Sequence, residues 1–257
     1  MIEVSHLKFS YPSTTSLVLD DINLQIRNDE AVSIMGANGS GKTTFSRCLN
    51  GLLLPTGGNV FVDGLNTRDK DENLKIRSLV GMVFQNPDNQ IVSTTVEREI
   101  AFGLENLGIP TLQMRQQVEK ILRQFDLEKY RRRSPHYLSG GEKQLLALAA
   151  IFAMAPKYII FDEPTSLLDP YLREKILHTI FDLQLEEGIT PILITQFPEE
   201  TLRTQRLIIL ASGKVVLDGK PAEVFENVEL LDQIGISVPP LFRLKSPLMK
   251  MGLWEVP

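Results

Sequence analysis

The sequence predicts an α/β fold, in which short buried strands alternate with helices around a mainly parallel sheet. Apolar runs at 31–35, 158–162 and 192–194 are short and end at turn or polar residues, as is typical of strands buried on both faces. Apolar residues at helical spacing lie between such runs. Residues 2–5 and 17–26 alternate instead between apolar and polar types, which predicts antiparallel strands near the N-terminus.

Turn signals and β-rich runs define the elements expected in the first part of the chain. A turn-rich stretch separates the two alternating strands, and the strand at 31–35 precedes a glycine-rich loop. A helix is expected to begin near Lys42, directly after this loop. Two further β-rich runs predict strands at 60–64 and 80–84.

Helical spacing dominates the middle of the chain, between 94 and 133. The apolar residues that recur there at helix-like spacing are Leu112, Val118, Ile121, Leu122 and Phe125. Further helices are expected at about 141–154 and 171–187, on either side of the strand at 158–162. The fold class is therefore α/β with a helical insertion.

The last part of the chain returns to strands. An apolar run that begins at Pro191 predicts a strand ending at Gln196, where a polar amide and Pro198 halt it. Residues 207–210 and 214–217 then close the sheet around a Ser-Gly turn. Because ligands bind at the carboxyl ends of strands in open α/β sheets, Gln196 is expected near a functional site.

Composition excludes several classes of protein. Of the 257 residues, 43% are hydrophobic and 23% are charged, which is ordinary for a globular protein. The net charge of −5 argues against a nucleic-acid partner. The single cysteine, Cys48, rules out an intrachain disulfide framework and fits a reducing compartment. With no signal-peptide pattern and no apolar run near the roughly 20 residues of a membrane span, we expect a cytosolic protein able to act at a membrane.

The strongest chemical motif is GANGSGKTT at 36–44, which matches the pattern G-x-x-x-x-G-K-[ST] between a predicted strand and helix. In this pattern, Gly39 and Gly41 allow backbone N–H groups to surround phosphate oxygens. Lys42 would reach the β- and γ-phosphates, and the Thr43 hydroxyl would bind Mg²⁺. The phosphate loop supplies the predicted ATP-binding residues Gly36, Ala37, Asn38, Gly39, Ser40, Gly41, Lys42, Thr43 and Thr44. The alternative is a glycine-rich turn before an ordinary helix.

A second motif is the acidic end of the strand at 158–162. Asp162 is predicted to hold Mg²⁺, as the usual partner of a phosphate loop. Glu163 is one residue further and is predicted to act as a general base on the attacking water. Two neighbouring carboxylates are costly without a cation or polar partner. The alternative is a pair of exposed loop acids.

A third motif joins these two and carries a family resemblance. Its residues are Leu138, Ser139, Gly140, Gly141 and Glu142, which directly precede a predicted helix. In this order along the chain, the three motifs resemble the ATP-binding cassette (ABC) family over about residues 2–225. By this resemblance Tyr11 stacks on adenine, Gln85 contacts Mg²⁺ and a transmembrane partner, and Asp169 belongs to the D-loop.

The resemblance also implies the architecture and the assembly. It implies a nucleotide-binding domain at 1–226 with a phosphate-loop core, an N-terminal antiparallel β subdomain and a helical subdomain at about 94–155. The signature motif 138–142 would act in trans, against the phosphate loop of a second cassette in a head-to-tail dimer. ATP with Mg²⁺ would close this dimer, and hydrolysis would release it.

Softer features indicate a subgroup. The segments FQNPDNQ at 84–90 and AFGLEN at 101–106 are similar to the ATPases of energy-coupling-factor (ECF) transporters, which import vitamins and transition-metal ions. This implies a transmembrane coupling subunit and a substrate-binding membrane subunit as partners, and a peripheral location on the cytoplasmic face of the cell membrane. The alternative is the ATPase of another ABC importer. The C-terminal extension 227–257 is expected to pack or to form a dimer contact through Leu230, Leu231, Ile234, Leu241, Phe242 and Trp254.

Gln196 departs from the family pattern, which has a histidine at this strand tip. Glutamine donates an N–H but carries no positive charge and shuttles no proton. Our hypothesis is that this chain's own site is slow and that a second, different cassette provides a histidine. An identical partner remains the alternative, as does a Gln196 that only caps a strand away from the nucleotide.

Two other classes share these motifs. A chromosome-maintenance or DNA-repair head would need a long coiled-coil insertion before the signature motif, and the spacing leaves no room for one. A translation-associated protein would carry two cassettes in tandem, whereas this chain has one. Co-purification with membranes or with ribosomes distinguishes the classes.

Overall fold

The computed structural model describes residues 1–12 and 16–244. The strands are β1 (Ile2–Phe9), β2 (Leu19–Ile26), β3 (Val32–Met35), β4 (Gly57–Val62), β5 (Leu65–Asn66), β6 (Val80–Val83), β7 (Tyr158–Asp162), β8 (Thr190–Ile194), β9 (Arg206–Ala211) and β10 (Lys214–Gly219). The α-helices are α1 (Lys42–Leu49), α2 (Asn73–Leu79), α3 (Val96–Asn106), α4 (Thr111–Gln124), α5 (Gly140–Ala153), α6 (Pro170–Glu187), α7 (Pro198–Thr201), α8 (Pro221–Phe225) and α9 (Val228–Gln233). The predicted α/β class is confirmed.

The N-terminal sheet is antiparallel and has the strand order β2-β1-β4-β5. Its apolar residues alternate because one face is buried and the other is partly open. On β1, Ile2 and Val4 pair with Ile26 and Leu24 of β2, and all four side chains are buried. This face shares one hydrophobic cluster with α1 and with the central sheet. The predicted antiparallel β subdomain is confirmed.

The central sheet has the order β10-β9-β3-β8-β7-β6. Strand β10, at one edge, pairs antiparallel with β9, and all other neighbouring strands in this sheet are parallel. Every residue of β3, β6, β7 and β8 is buried, which explains their continuous apolar runs. These four strands are adjacent, so their carboxyl ends bring the loops that follow them to one edge of the sheet.

Helices α3, α4 and α5 form the helical insertion and bury one shared apolar face. Ile100, Ile121 and Leu146 are fully buried in a cluster that continues to the central sheet at Phe161. The predicted helical pattern is confirmed for this region. Leu112 is the exception, since it lies in the first turn of α4 and is 71% exposed.

The C-terminal segment covers part of the central sheet. Phe225 of α8 and Leu231 of α9 are buried against Leu207 and Ile209 of β9. The ring of Phe242 lies 5.4 Å from that of Phe225, between centroids. Packing of the extension is therefore present as far as Phe242, while Leu230, Leu241 and Leu244 are exposed. Trp254 lies outside the described residues, and the predicted dimer contact stays a prediction.

The differences from the sequence-based prediction concern short elements and strand ends. Strand β8 ends at Ile194 rather than Gln196, because the hydroxyl of Thr195 accepts a hydrogen bond from the backbone N–H of Phe197 and starts a turn. The short helices α2, α7, α8 and α9 were not predicted, because four to seven residues are too few to show helical periodicity. In the described part of the chain, no helix combines the length and apolar character that crossing a membrane requires.

Candidate active site

The phosphate loop connects β3 to α1 and holds Lys42 under its backbone. The Lys42 Nζ donates hydrogen bonds to the backbone oxygen of Gly36 at 2.7 Å and to that of Ala37 at 3.2 Å. The side chain is only 6% exposed. Burial lowers the pKa of Lys42, and the negative charges of Glu163 and Asp162 oppose this effect. A cation is therefore fixed beneath the loop with acidic groups beside it.

The rest of the loop fits an anion. Gly39 and Gly41 have φ values of 79° and 103°, a conformation that glycine adopts without steric cost. Helix α1 begins without a side-chain cap and without an acidic residue in its first turn, so its first N–H groups are open to a phosphate. Ser40 Oγ is buried and has no hydrogen-bond partner among the described residues. These donors suit the phosphates of ATP.

The acidic end of β7 lies next to the phosphate loop. The Thr43 hydroxyl donates to Asp162 Oδ1 at 3.3 Å, and Asp162 is 5% exposed. Burial raises the pKa of Asp162, while the hydrogen bond from Thr43 lowers it. Hydroxyl and carboxylate oxygens are the donors that Mg²⁺ prefers, so Thr43 and Asp162 fit the predicted metal site. A bound Mg²⁺ would supply electrostatic stabilisation of the phosphoryl oxygens.

Glu163 follows β7 and receives hydrogen bonds from two glutamine amides. Gln85 Nε2 donates to Glu163 Oε2 at 3.0 Å, and Gln196 Nε2 donates to Glu163 Oε1 at 2.7 Å. The Gln85 amide also donates to Ser166 Oγ at 3.2 Å. The predicted catalytic residues Glu163 and Gln196 are thus in direct contact. The predicted metal contact of Gln85 stays a prediction, because its amide nitrogen points to Glu163 and Ser166.

Gln196 lines the same cleft as the phosphate loop. This cleft has a volume of about 400 Å³ and is lined by Val18, Asn38, Gly39, Gly41, Lys42, Thr43, Thr44, Gln85, Glu163 and Gln196. The alternative in which Gln196 caps a strand away from this loop does not agree with its position. Its neutral amide stands where it can donate towards the centre of the cleft.

Tyr11 lies at the edge of this region, after β1. Its hydroxyl is 3.1 Å from the hydroxyl of Thr44 in the first turn of α1. Its ring packs edge-on against Phe9, with 5.0 Å between the centroids. The tyrosine is therefore anchored beside the phosphate loop, and stacking on adenine stays a prediction.

The signature motif forms the start of α5 and lines a different cleft. Ser139 Oγ accepts a hydrogen bond from the backbone N–H of Glu142 at 3.3 Å, and Glu142 Oε2 accepts one from the backbone N–H of Ser139 at 2.8 Å. This reciprocal pair is a capping box. A Cβ on Gly141 would lie 2.7 Å from the side chain of Leu172, so α5 approaches α6 closely there.

The position of this motif bears on the predicted assembly. Ser139, Gly141 and Glu142 line a cleft of about 590 Å³ that shares no residue with the phosphate-loop cleft. Leu138 is buried, whereas Gly140 has open space around it. Asp169 of the predicted D-loop caps α6, since its Oδ1 accepts from the backbone N–H of Leu172 at 3.0 Å. The action of these residues on another subunit's nucleotide stays a prediction.

Two side chains near the site were missed from sequence. Ser166, three residues before Asp169, was not predicted as a site residue, yet its Oγ accepts a hydrogen bond from the Gln85 amide. Glu200 is 3% exposed and accepts hydrogen bonds from Thr165 and Thr195, in the loops that carry Glu163 and Gln196. A glutamate four residues beyond a strand-tip glutamine was the only available signal.

Comparison with known proteins agrees with this geometry. Residues 19–166 match the family model described as ABC transporter. The chain is 48% identical over 256 residues to the energy-coupling factor transporter ATP-binding protein EcfA1 of Caldanaerobacter subterraneus, covering 98% of this chain and 92% of that protein. It is 46% identical over 253 residues to the cobalt import ATP-binding protein CbiO of Syntrophus aciditrophicus, covering 98% and 90%.

A solved structure gives the same result for the fold. CbiO1 from Clostridium perfringens, described as part of the ABC transporter complex CbiONQ, superposes with a TM-score of 0.81. It is 32% identical in sequence, and the match covers 95% of this chain and 98% of that one. The family match and these identities identify the chain as a member of the ABC transporter family, an ATPase similar to the ATP-binding subunits of energy-coupling-factor transporters.

Proposed function

We propose that this chain binds and hydrolyses ATP to power import of a micronutrient, either a vitamin or a transition-metal ion, through an ECF-type transporter. Closure of a cassette dimer around ATP would transmit the energy to the membrane subunits. ATP hydrolysis at this chain's own site would be slow, because Gln196 occupies the position at which the family pattern has a histidine. The names of the relatives, an ECF ATP-binding protein and a cobalt-import ATP-binding protein, support this class of cargo.

The contact between Gln196 and Glu163, at 2.7 Å, is the observation that carries the proposal. Glu163 would take a proton from the attacking water while the water oxygen bonds to the γ-phosphorus. The bond between the γ-phosphorus and the bridging oxygen of the leaving ADP would break at the same time. Gln196 would donate its amide N–H to the γ-phosphate. An amide supplies this hydrogen bond, but not the positive charge or the proton of an imidazolium.

The proposed dimer is supported by the presence of the phosphate loop and the signature motif in two separate clefts. The phosphate-loop cleft provides Lys42 and Glu163, whereas Ser139 opens on a separate cleft at the start of α5. Ser139 Oγ accepts the capping-box hydrogen bond from the backbone N–H of Glu142, and in a closed dimer the Ser139 hydroxyl would donate to a phosphate bound at the other subunit. Two cassettes placed head to tail would complete both sites.

The proposed partner is a different cassette with a histidine at the position of Gln196. In such a heterodimer, Ser139 and Gly141 of this chain would complete the faster site of the partner. This chain's own phosphate loop would hold ATP for longer and keep the pair associated. A transmembrane coupling subunit and a substrate-binding membrane subunit would place the dimer peripherally on the cytoplasmic face of the cell membrane. CbiO1, described as part of the complex CbiONQ, supports an assembly of several subunits.

The proposal is tested by measuring ATP hydrolysis by the purified chain and by Gln196→His, each alone and with a candidate partner cassette. Loss of a donor to developing charge typically slows a reaction by about 10²–10³-fold. Because glutamine still donates, we expect Gln196→His to raise the rate by less, about 10-fold. Gln113→His is the matched control, since Gln113 is exposed on α4 away from the cleft.

The result that contradicts the slow-site proposal is rapid turnover by the wild-type homodimer that Gln196→His does not improve. An equal gain from Gln113→His would show that the histidine acts non-specifically. Co-purification of the tagged chain from membranes, followed by mass spectrometry, tests the proposed membrane subunits. Recovery of only the tagged chain from solubilised membranes would count against them.

A further inference from the structure

Glu200 is a buried carboxylate behind the site, on the short helix α7. It is 3% exposed. Its Oε1 accepts a hydrogen bond from the Thr165 hydroxyl at 2.6 Å, and its Oε2 accepts one from the Thr195 hydroxyl at 2.5 Å. Both threonines are 1% exposed, so the three side chains form a cluster shielded from water.

The two threonines belong to the two loops that carry the proposed catalytic residues. Thr165 lies two residues after Glu163, and Thr195 directly precedes Gln196. Thr195 Oγ1 also accepts a hydrogen bond from the backbone N–H of Phe197 at 3.0 Å, which fixes the turn on both sides of Gln196. The Glu200 carboxylate therefore links the turn that carries Glu163 to the turn that carries Gln196 by hydrogen bonds.

These loops are joined at two levels. At the cleft, the exposed amide of Gln196 contacts Glu163. Behind the cleft, Glu200 bridges Thr165 and Thr195 in a buried setting. When nucleotide and water enter, the contact at the cleft has to rearrange, whereas the buried bridge is not exposed to either. The bridge can therefore keep the loops aligned while the contact between Gln196 and Glu163 opens.

A charged side chain is a costly choice for a bridge that serves stability alone. Burial raises the pKa of Glu200, and the two threonine hydrogen bonds oppose this effect. Arg173 Nε lies 3.8 Å from Glu200 Oε1, and its guanidinium stacks 3.6 Å from the centroid of the Phe197 ring. Buried ionic groups are often less stabilising than well-packed apolar ones. A carboxylate, however, accepts from two donors in fixed directions, which suits alignment.

We infer that Glu200 is a positioning residue for ATP hydrolysis, which holds Gln196 and Glu163 in register through Thr195 and Thr165. This inference rests on the proposed roles of Glu163 and Gln196. Because Glu200 touches neither the phosphate loop nor the nucleotide cleft, it acts on the chemical step and not on ATP affinity. Misplacement of a catalytic group by about 1 Å can slow a reaction by about 10²-fold.

The test measures ATP affinity and single-turnover hydrolysis of Mg²⁺-ATP by the full-length chain in excess over nucleotide. We expect Glu200→Gln to lower the hydrolysis rate by about 10- to 100-fold, with an ATP Kd within about twofold of wild type. Glu199→Gln removes the same charge from an exposed neighbour on the same helix, and we expect it to leave both quantities unchanged.

The hydroxyl variants distinguish positioning from general destabilisation. Thr195→Val and Thr165→Val should slow hydrolysis as Glu200→Gln does, whereas Thr195→Ser and Thr165→Ser, which keep the hydroxyl, should restore most of the rate. The double variant Thr195→Val with Glu200→Gln should be no slower than the slower single variant. If Glu200→Gln does not fold, the valine and serine pairs alone decide.

Three results would overturn the inference. Two of these concern Glu200 itself, namely a Glu200→Gln rate within twofold of wild type and valine and serine variants that behave alike. The third, absence of hydrolysis by the wild-type chain, would contradict the proposed function on which the inference rests. Measuring hydrolysis by Glu163→Gln in the same assay distinguishes a wrong role of Glu200 from a wrong proposed function. If Glu163→Gln loses turnover while Glu200→Gln keeps it, only the role of Glu200 is wrong, whereas retained turnover in Glu163→Gln contradicts the site assignment itself.

Discussion

Replacement of Lys42 by alanine removes the only side-chain cation that lines the phosphate-loop cleft in the described part of the chain. The wild-type Nζ donates to the backbone oxygens of Gly36 and Ala37 and lies near the charges of Asp162 and Glu163. In the variant, both carbonyl groups lose their donor and both carboxylates lose a neutralising charge. A triphosphate would then meet net negative charge at the end of the loop.

The magnitude follows from the contacts that the ammonium group would make. A hydrogen bond to a charged group contributes about 1.5–3 kcal/mol. Contacts to the β- and γ-phosphates would therefore sum to about 3–6 kcal/mol, of which the loss of the Lys42 hydrogen bonds to the Gly36 and Ala37 oxygens offsets a part. We expect the Kd for ATP to rise by about 10²–10³-fold, since each 1.4 kcal/mol is about tenfold.

The assay is calorimetric titration of Mg²⁺-ATP into the wild type, Lys42→Ala, Lys42→Met and Lys70→Ala. Lys42→Met keeps an unbranched stem of similar length, and Lys70→Ala removes an exposed lysine. Both Lys42 variants should bind weakly, and Lys70→Ala should bind as wild type. A Kd for Lys42→Ala within about threefold of wild type would refute the phosphate-loop assignment. Wild-type affinity in Lys42→Met alone would show that the stem, and not the charge, matters.

Three further predictions concern the acid, the loop and the buried glutamate. Glu163→Gln should still bind ATP but hydrolyse it about 10²–10⁴-fold more slowly, so that size-exclusion with Mg²⁺-ATP shows a trapped dimer; no shift towards dimer with the proper partner present would contradict the base or the dimer. Gly36→Ala places a Cβ 2.3 Å from Leu210 O and 2.4 Å from Ser40 Oγ, and a urea titration should show a loss of about 1–3 kcal/mol in stability, whereas wild-type stability would contradict this packing. Burial raises the pKa of Glu200 above its ordinary value of 4.5, so above pH 4.5 the folded state binds more protons at this group than the unfolded state does. The free energy of unfolding of the wild type, relative to that of Glu200→Gln, should therefore fall as pH rises from 4.5 through the raised pKa. Urea titrations in which this difference rises with pH would contradict the raised pKa.

The fold and the phosphate loop were predictable because their signals are local. The motif at 36–44 needs only a strand before it and a helix after it, and both are present as β3 and α1. Buried parallel strands such as β7 reveal themselves as continuous apolar runs, since both faces are covered. Short elements lack such signals. The helix α7 is four residues long and is defined by tertiary contacts.

The contacts within the site were not predictable, because they depend on strand order. Glu163 and Gln196 are 33 residues apart, and Glu163 and Gln85 are 78 apart. No local pattern states which strands are neighbours. The role of Glu200 was hidden for the same reason, since Thr165 lies 35 residues before it in the chain. Only the sheet order brings these groups to one place.

Strand order also explains why position 196 is sensitive. Strand β8 lies between β3 and β7, so the loop after it is flanked by the phosphate loop on one side and by Glu163 on the other. Gln196 is therefore placed between the groups that would hold the γ-phosphate and the group that would activate water. Gln85 follows β6 at the edge of the sheet and reaches Glu163 from the far side. A change of side chain at 196 would therefore affect both the contact to the γ-phosphate and the contact to Glu163. A change at 85 would affect only the contact to Glu163. For this reason we expect Gln196, more than Gln85, to set the rate of ATP hydrolysis at this site.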